Sequence, residues 1–150
     1  GGLLASPVQI AAMMNTIASG GVYRTPFFVC GSVDETDGTP LETLAHPQSR
    51  RVMSAENVAL LRKMLCQVVE EGTAQDAAGL EEGAGGKTGT AQTGQFTPDG
   101  TERKNLWFAG FYPAQQPRYT IVVLQDGQVS TEHSSAAIFA RLCAMLDLLA

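Results

Sequence analysis

Three strand-like runs in close succession, within residues 86–125, constrain the fold more than any other feature of the chain. They are "GKTGTAQ", "LWFAGFY" and "RYTIVVLQ". The segment Thr93–Lys104 and the stretch "PAQQP" join them. Both links are short enough for antiparallel neighbours, so a meander is the simplest topology. Ile121, Val122, Val123 and Leu124 form an unbroken apolar run, the pattern of a strand covered on both faces.

Helices are predicted on either side of these strands. "SPVQIAAMMNTIASGG" has Ser6 as N-cap, Pro7 at the first helical position and Gln9 completing a capping box, with Gly20 and Gly21 as the stop. Its apolar residues Val8, Ile10, Ala11, Met13, Met14 and Ile17 nearly surround it, which predicts deep burial. In "SAENVALLRKMLCQVVEEG", Ser54 caps a second helix, Glu56 suits its first turn and Gly72 ends it. Val58, Leu61, Leu65 and Val68 recur there at helical spacing. Ser134 starts a last helix with an apolar stripe of Ile138, Phe139, Leu142, Leu146 and Leu149. Elsewhere, "VYRTPFFVCG" reads as an extended segment interrupted by Pro26. "SVDETDGTPLETLAHPQSR" reads as loop or a weak hairpin, and "TAQDAAGLEEGAG" as a flexible connection. Helix, loop, helix, strands and helix in this order give an α+β class: an antiparallel sheet flanked by helices.

At 150 residues, 44% hydrophobic and 17% charged, the chain is long and apolar enough for one globular domain. A net charge of −5, with no basic patch, argues against nucleic acid as a partner. Cys30, Cys66 and Cys143 lack CxxC spacing, so neither a metal site nor a disulfide framework is expected; they read as buried thiols. No cofactor is implied. No signal peptide or membrane span is evident, because Arg141 and Asp147 break the tract from Ala136 to Ala150. The opening Gly-Gly, without methionine, gives the expectation of a soluble fragment.

Candidate chemistry narrows quickly. Glu70-Glu71 and Glu81-Glu82 are sequence neighbours and point apart on a helix, so they read as solvated surface. His46 and His133 have no Ser or Cys partner at a defensible spacing. Gly86-Lys87-Thr88 supplies the end of a phosphate loop, but Glu81 stands where the first glycine belongs and a strand follows instead of a helix. That leaves "KTGT". On a strand, Lys87 and Gly89 alternate to one face, Thr88 and Thr90 to the other. An ammonium there offers positive potential to an anion or to proton transfer. The two hydroxyls can bind a carboxylate, and Gly89 lets a substrate backbone approach. A plain edge strand protected by a lysine is the competing reading.

The surroundings of this triplet resemble a known family. Lys-Thr-Gly is a signature of the serine penicillin-recognising enzymes, together with S-x-x-K and a Ser-x-Asn element. "SPVQIAAMMNTIASGGVYRTP", "VVEEGTAQDA", "GGKTGTAQ", "WFAGFYP" and "YTIVVLQDG" resemble, in order, the C-terminal part of the transpeptidase domain of class B penicillin-binding proteins. The resemblance covers nearly the whole chain. It implies a partial penicillin-binding transpeptidase (β-lactamase-like) fold. It also implies a D,D-transpeptidase activity in which a serine is acylated by a peptidoglycan stem peptide or a β-lactam. Carried over, Lys87 and Thr90 are catalytic: Lys87 supplies positive potential and helps proton traffic, and the Thr90 N–H is an oxyanion donor. Thr88 and Thr90 bind the carboxylate, and Gly89 allows close approach. The parent protein is expected to be membrane-anchored and to act outside the cytoplasm.

One departure is clear. The residues three before Lys63, Lys87 and Lys104 are Leu60, Ala84 and Thr101, so there is no S-x-x-K. Two before Asn15, Asn57 and Asn105 stand Met13, Ala55 and Arg103, so there is no Ser-x-Asn. The expectation is therefore residues 1–150 as the C-terminal portion of one transpeptidase domain. Its missing N-terminal half is then a partner, the chain alone is inactive, and apolar surface is left exposed. A non-catalytic interaction module that keeps the fold, or part of a β-lactamase, are the alternatives.

Overall fold

The computed structural model describes residues 3–43 and 48–149. His46, Pro47 and Ala150, which entered the sequence reading, lie outside the described residues. Helix α1 spans Pro7–Ala18. Its capping box forms as expected: the Gln9 N–H donates to Ser6 Oγ at 3.3 Å, and the Ser6 N–H donates to Gln9 Oε1 at 2.8 Å. The chain leaves α1 through Gly20 and Gly21, both at positive φ. At Gly21 a side chain is also excluded by space, because a Cβ would lie 2.6 Å from the Met53 carbonyl oxygen. The Gly21 carbonyl accepts from the Val52 N–H at 2.9 Å, tying the exit of α1 to the entry of the next helix.

Strand β1 (Val22–Arg24) pairs antiparallel with β4 (Ser49–Arg51). Between them, β2 (Gly31–Val33) and β3 (Pro40–Thr43) make the weak hairpin anticipated from sequence. Helix α2 (Ala55–Glu70) starts at Ser54, whose hydroxyl accepts from the Asn57 N–H, and closes at Glu71 and Gly72. The segment after it is no flexible link. It forms a 3-10 turn, Gln75–Ala77, with Ala74 and Ala77 fully buried in the core. Small side chains are what allow this backbone to press against the sheet.

The main sheet is the expected meander, β5 (Gly85–Phe96), β6 (Glu102–Tyr112) and β7 (Tyr119–Gln128), in that spatial order. The strands are longer than the sequence reading: Phe96 pairs with Glu102 across a bulge, so much of the presumed Thr93–Lys104 link is strand. Helix α3 (Ser135–Asp147) follows, capped by Ser134.

Helices cover both faces of the sheet. On one side Met14 of α1 packs with Ala109, Phe111, Val122 and the α2 residues Leu65 and Cys66. On the other, Phe139 and Cys143 of α3 pack with Phe108, Tyr112, Val123 and the buried alanines. Val122 and Val123 thus face opposite cores, as the unbroken apolar run of β7 predicted. Two helical expectations need correction. Helix α1 is one-sided: Val8 and Met13 are exposed while Ala12, Met14 and Thr16 are buried. The buried stripe of α3 is Ala136, Phe139 and Cys143, whereas Leu142 and Leu149 are exposed. Apolar periodicity marks a broad arc of each helix, and only contact with the sheet selects which part is covered. The cysteines also divide: Cys143 is buried, Cys66 intermediate and Cys30 exposed.

Glycine decides how closely β5 approaches β6. A Cβ on Gly85 would lie 2.3 Å from Phe111 Cζ, and one on Gly86 would lie 2.4 Å from Phe108 Cζ. Each ring occupies the space a side chain would take. Gly86→Ala is expected to lower stability by about 1–3 kcal/mol through overpacking, read as a shift in the urea midpoint.

A second expectation concerns alkaline pH. The Tyr112 hydroxyl donates to Asp147 at 2.5 Å, and burial together with this carboxylate raises the phenol well above its ordinary 10.0. Burial, then the Asp147 charge, push the Cys143 thiol up from 9.0 to about 12. Both groups hold their protons more tightly folded than unfolded. Stability is therefore fully present below the unfolded values, begins to fall at about 9–10, and is lost progressively as pH rises toward the raised folded values, about 12 for Cys143. Urea midpoints between pH 7 and 11 should fall above pH 9, and less steeply in Tyr112→Phe.

Candidate functional site

Strand β5 carries the Lys-Thr-Gly-Thr stretch directly after its two buried glycines. Gly85 and Gly86 are buried, Lys87 is exposed, Thr88 is half-buried, and Gly89 and Thr90 are exposed. The strand therefore passes from core to surface within a few residues. β5 is the terminal strand of the sheet among the described residues. α2 packs against it and contributes side chains to both apolar clusters.

Strand alternation places the Lys87 and Thr88 side chains on opposite faces at Cβ. The lysine is long enough to undo that separation. Its ammonium donates to the Thr88 carbonyl at 3.1 Å and to Thr88 Oγ1 at 3.1 Å. A third hydroxyl joins them, one that the sequence reading did not assign. Thr73 Oγ1 lies 2.9 Å from Thr88 Oγ1, and 3.5 Å from the Lys87 ammonium that donates to it. Lys87, Thr88 and Thr73 form one hydrogen-bonded cluster across a separation of 15 residues.

The sequence "GTA" explains how Thr73 reaches this place. A Cβ on Gly72 would lie 2.8 Å from the Val68 Cα, so only glycine permits the tight exit from α2. The Ala74 N–H donates to the Val68 carbonyl at 3.1 Å, and Ala74 is fully buried. Thr73 is clamped between a close turn and a core anchor, with its hydroxyl turned outward. This signal was present in sequence as a glycine after a helix, then a hydroxyl, then a small residue.

Gly89 differs from the glycines before it. A Cβ there would meet only the Trp107 Cβ, at 3.5 Å, an ordinary contact. The open space lies on the same face as Lys87. Thr90 pairs with Leu106 across the sheet, and its side chain is exposed beyond Thr88 on the strand's other face. The stretch is one open wall, with donors along it and room above Gly89. Two cavities lie away from it. One, about 720 Å³, is apolar and lined in part by Val8, Met13, Tyr23, Phe28 and Val52. The other, about 480 Å³, runs beside Arg62, Cys66 and Glu70.

Other candidate nucleophiles fare poorly. Burial and the Glu70 charge raise the Cys66 thiol, with Arg62 partly opposing them, and Cys143 is raised further. A raised thiol is a poor source of thiolate. Glu70, Glu71, Glu81 and Glu82 are all exposed, as their adjacency predicted. Among the described residues no group of His, Cys, Asp or Glu is placed to hold a metal ion, and no helix is long and apolar enough to cross a membrane.

Comparisons with known proteins converge. Residues 1–144 match the family model described as "Penicillin binding protein transpeptidase domain". Penicillin-binding protein PbpB of Mycolicibacterium smegmatis is 36% identical over 140 residues, covering 83% of this chain and 20% of that protein. Peptidoglycan D,D-transpeptidase PbpA of the same organism is 32% identical over 123 residues, covering 81% of this chain and 24% of that protein. The crystal structure of penicillin binding protein 3 from Mycobacterium tuberculosis, complexed with ampicillin, superposes with a TM-score of 0.80 at 31% identity. It covers 99% of this chain and 35% of that one. The chain thus spans about a fifth of the length of the curated relatives it matches.

The contrast among glycines gives a direct check. Gly89→Ala should leave the urea midpoint almost unchanged, within about 0.5 kcal/mol, where Gly86→Ala does not. A large loss at position 89 would show that the space above the strand is not open.

Proposed function

The chain belongs to the penicillin-binding protein transpeptidase family, and from that premise we propose that it is the C-terminal portion of a D,D-transpeptidase domain and supplies the substrate-binding wall of its active site. The observation that carries this reading is the meeting of the Lys87 ammonium with the Thr88 hydroxyl, 3.1 Å apart, on an exposed strand beside a glycine with open space above it. A cation with a hydroxyl donor suits a carboxylate. At an effective dielectric near 20 an ammonium and a carboxylate about 4 Å apart attract by about 4 kcal/mol. A hydroxyl donating to a charged oxygen adds about 1.5–3 kcal/mol.

The substrate is the D-Ala-D-Ala end of a peptidoglycan stem peptide. A serine hydroxyl attacks the penultimate carbonyl, the terminal D-alanine leaves, and the acyl group passes to an amine of a second stem peptide. Thr88 and Thr90 hold the terminal carboxylate. Lys87 supplies positive potential and assists proton transfer. Gly89 admits the substrate backbone, and the Thr90 N–H is one donor to the oxyanion. A β-lactam carries a carboxylate and a reactive carbonyl in a similar relation and acylates the same serine. The serine, its S-x-x-K lysine and the Ser-x-Asn element come from a segment upstream of residue 1 in the parent polypeptide. That parent acts on the cell wall, outside the cytoplasm, held there by a membrane anchor beyond this chain.

A fluorescent penicillin tests this reading. The 150-residue chain alone should take up no covalent label. A polypeptide that continues upstream through an S-x-x-K should be labelled, and Lys87→Ala in it should slow labelling by about 10²-fold. Covalent labelling of the isolated chain would overturn the placement of the nucleophile.

A further inference from the structure

Thr73 lies outside the Lys-Thr-Gly-Thr stretch and reaches it through space. We infer that Thr73 is a positioning residue that locks the Thr88 hydroxyl and aligns its hydrogen for the substrate carboxylate. The inference rests on the functional reading above and adds a residue to it.

Hydrogen accounting supports the role. The Lys87 ammonium has three hydrogens and three acceptors within reach: the Thr88 carbonyl and Thr88 Oγ1 at 3.1 Å, and Thr73 Oγ1 at 3.5 Å. Thr88 Oγ1 is thus already an acceptor. The 2.9 Å contact between Thr73 Oγ1 and Thr88 Oγ1 needs one hydroxyl to donate to the other. If Thr88 donates, its only hydrogen points at Thr73, and its lone pairs repel an arriving carboxylate. If Thr73 donates, the Thr88 hydrogen is free to point outward. A carboxylate selects the second arrangement and completes the chain Thr73 O–H to Thr88 O–H to carboxylate. Each donation polarises the next, so the terminal hydrogen bond is stronger than an isolated threonine would make.

Geometry adds a second effect. Thr88 is β-branched and half-buried on an edge strand, so its hydroxyl has few competing orientations, and Thr73 fixes one of them. Thr73 is itself held by the tight turn at Gly72 and the buried Ala74. The hydroxyl that orients Thr88 is therefore anchored to the core, independently of the strand.

The experiment uses the longer polypeptide and compares acylation by a penicillin with acylation by its methyl ester, which lacks the anionic carboxylate. Thr73→Val keeps the shape and removes the hydroxyl. It should lower the second-order acylation rate for the acid about tenfold and leave the rate for the ester unchanged, while Thr73→Ser restores the acid rate. An unchanged acid rate, or equal losses for acid and ester, would overturn the role of Thr73. A wild-type polypeptide that is not acylated at all would instead overturn the functional reading, and this role with it. The 150-residue chain gives a readout free of activity. Three-bond couplings of Thr88 should report one χ1 rotamer in the wild type and averaging in Thr73→Val. Averaged couplings in the wild type count against the inference even if Thr73→Val folds poorly.

Discussion

Two phenylalanine rings seated on two glycines hold this structure in register. Phe111 lies over Gly85 and Phe108 over Gly86, each where a Cβ would collide. Gly110, the partner of Gly86 on β6, is equally confined, with a Cβ falling 2.8 Å from the Gly85 carbonyl oxygen. A slip of one residue would move every side chain of β5 to the opposite face and bring Lys87 under the Phe108 ring or Ala84 under the Phe111 ring. The pairing of β5 with β6 is therefore specified by shape, not only by hydrogen bonds. Phe108 then meets Phe139 of α3, with ring centroids 4.7 Å apart in a tilted arrangement. One aromatic residue thus connects the lysine strand to the last helix through the core.

That seam also separates the packed part of a single strand from its open part. Glycine at 85 and 86 is required by close packing and has no room for substitution. Glycine at 89 stands in open space, with only the Trp107 Cβ at ordinary contact distance. The same residue type has opposite meanings a few positions apart. Between them, Lys87 is the first residue to emerge from the core, so its Cα position is set by the buried pair behind it. The ammonium is then brought back along the strand by the Thr88 carbonyl and hydroxyl. Placing a charged group this way avoids burying it, which would cost far more than these hydrogen bonds return.

Local features of the fold were legible in sequence because their causes are local. Ser6, Ser54 and Ser134 each accept a backbone N–H three residues on, and each starts a helix. The β5–β6–β7 meander followed from run lengths and short links. Non-local features were not legible. The pairing of β1 with β4 joins Val22 to Arg51 across the hairpin, and neither short segment signals the other. Leu142 belongs to the apolar arc of α3 and Leu149 lies beyond its end at Asp147; both are exposed, because packing against the sheet and not sequence period decides which part is covered. Lys87, Thr88, Gly89 and Thr90 were identified as a unit because they are contiguous. Thr73 was missed because hydrogen bonding across 15 residues leaves no periodic trace. The alternation of Lys87 and Thr88 describes only Cβ directions, and the lysine reaches several ångströms further, so its ammonium meets the Thr88 hydroxyl.

The exposed wall and the exposed apolar residues share one physical basis. A ligand bound to a strand face that bears an ammonium, hydroxyls and a bare backbone position would remain largely in water. In water the attraction between an ammonium and a carboxylate about 4 Å apart falls to about 1 kcal/mol. Enclosure by a second wall raises that attraction and removes competing water, so the same residues gain binding strength without any change in their own geometry. Phe28, exposed at 86%, and Val8, Met13 and Val52 around the 720 Å³ groove are likewise open to solvent. Within this chain, packing is complete where the phenylalanines meet the glycines and ends where the lysine begins. Rigidity at that boundary, supplied from the buried side, is what lets an open wall hold its donors in fixed positions.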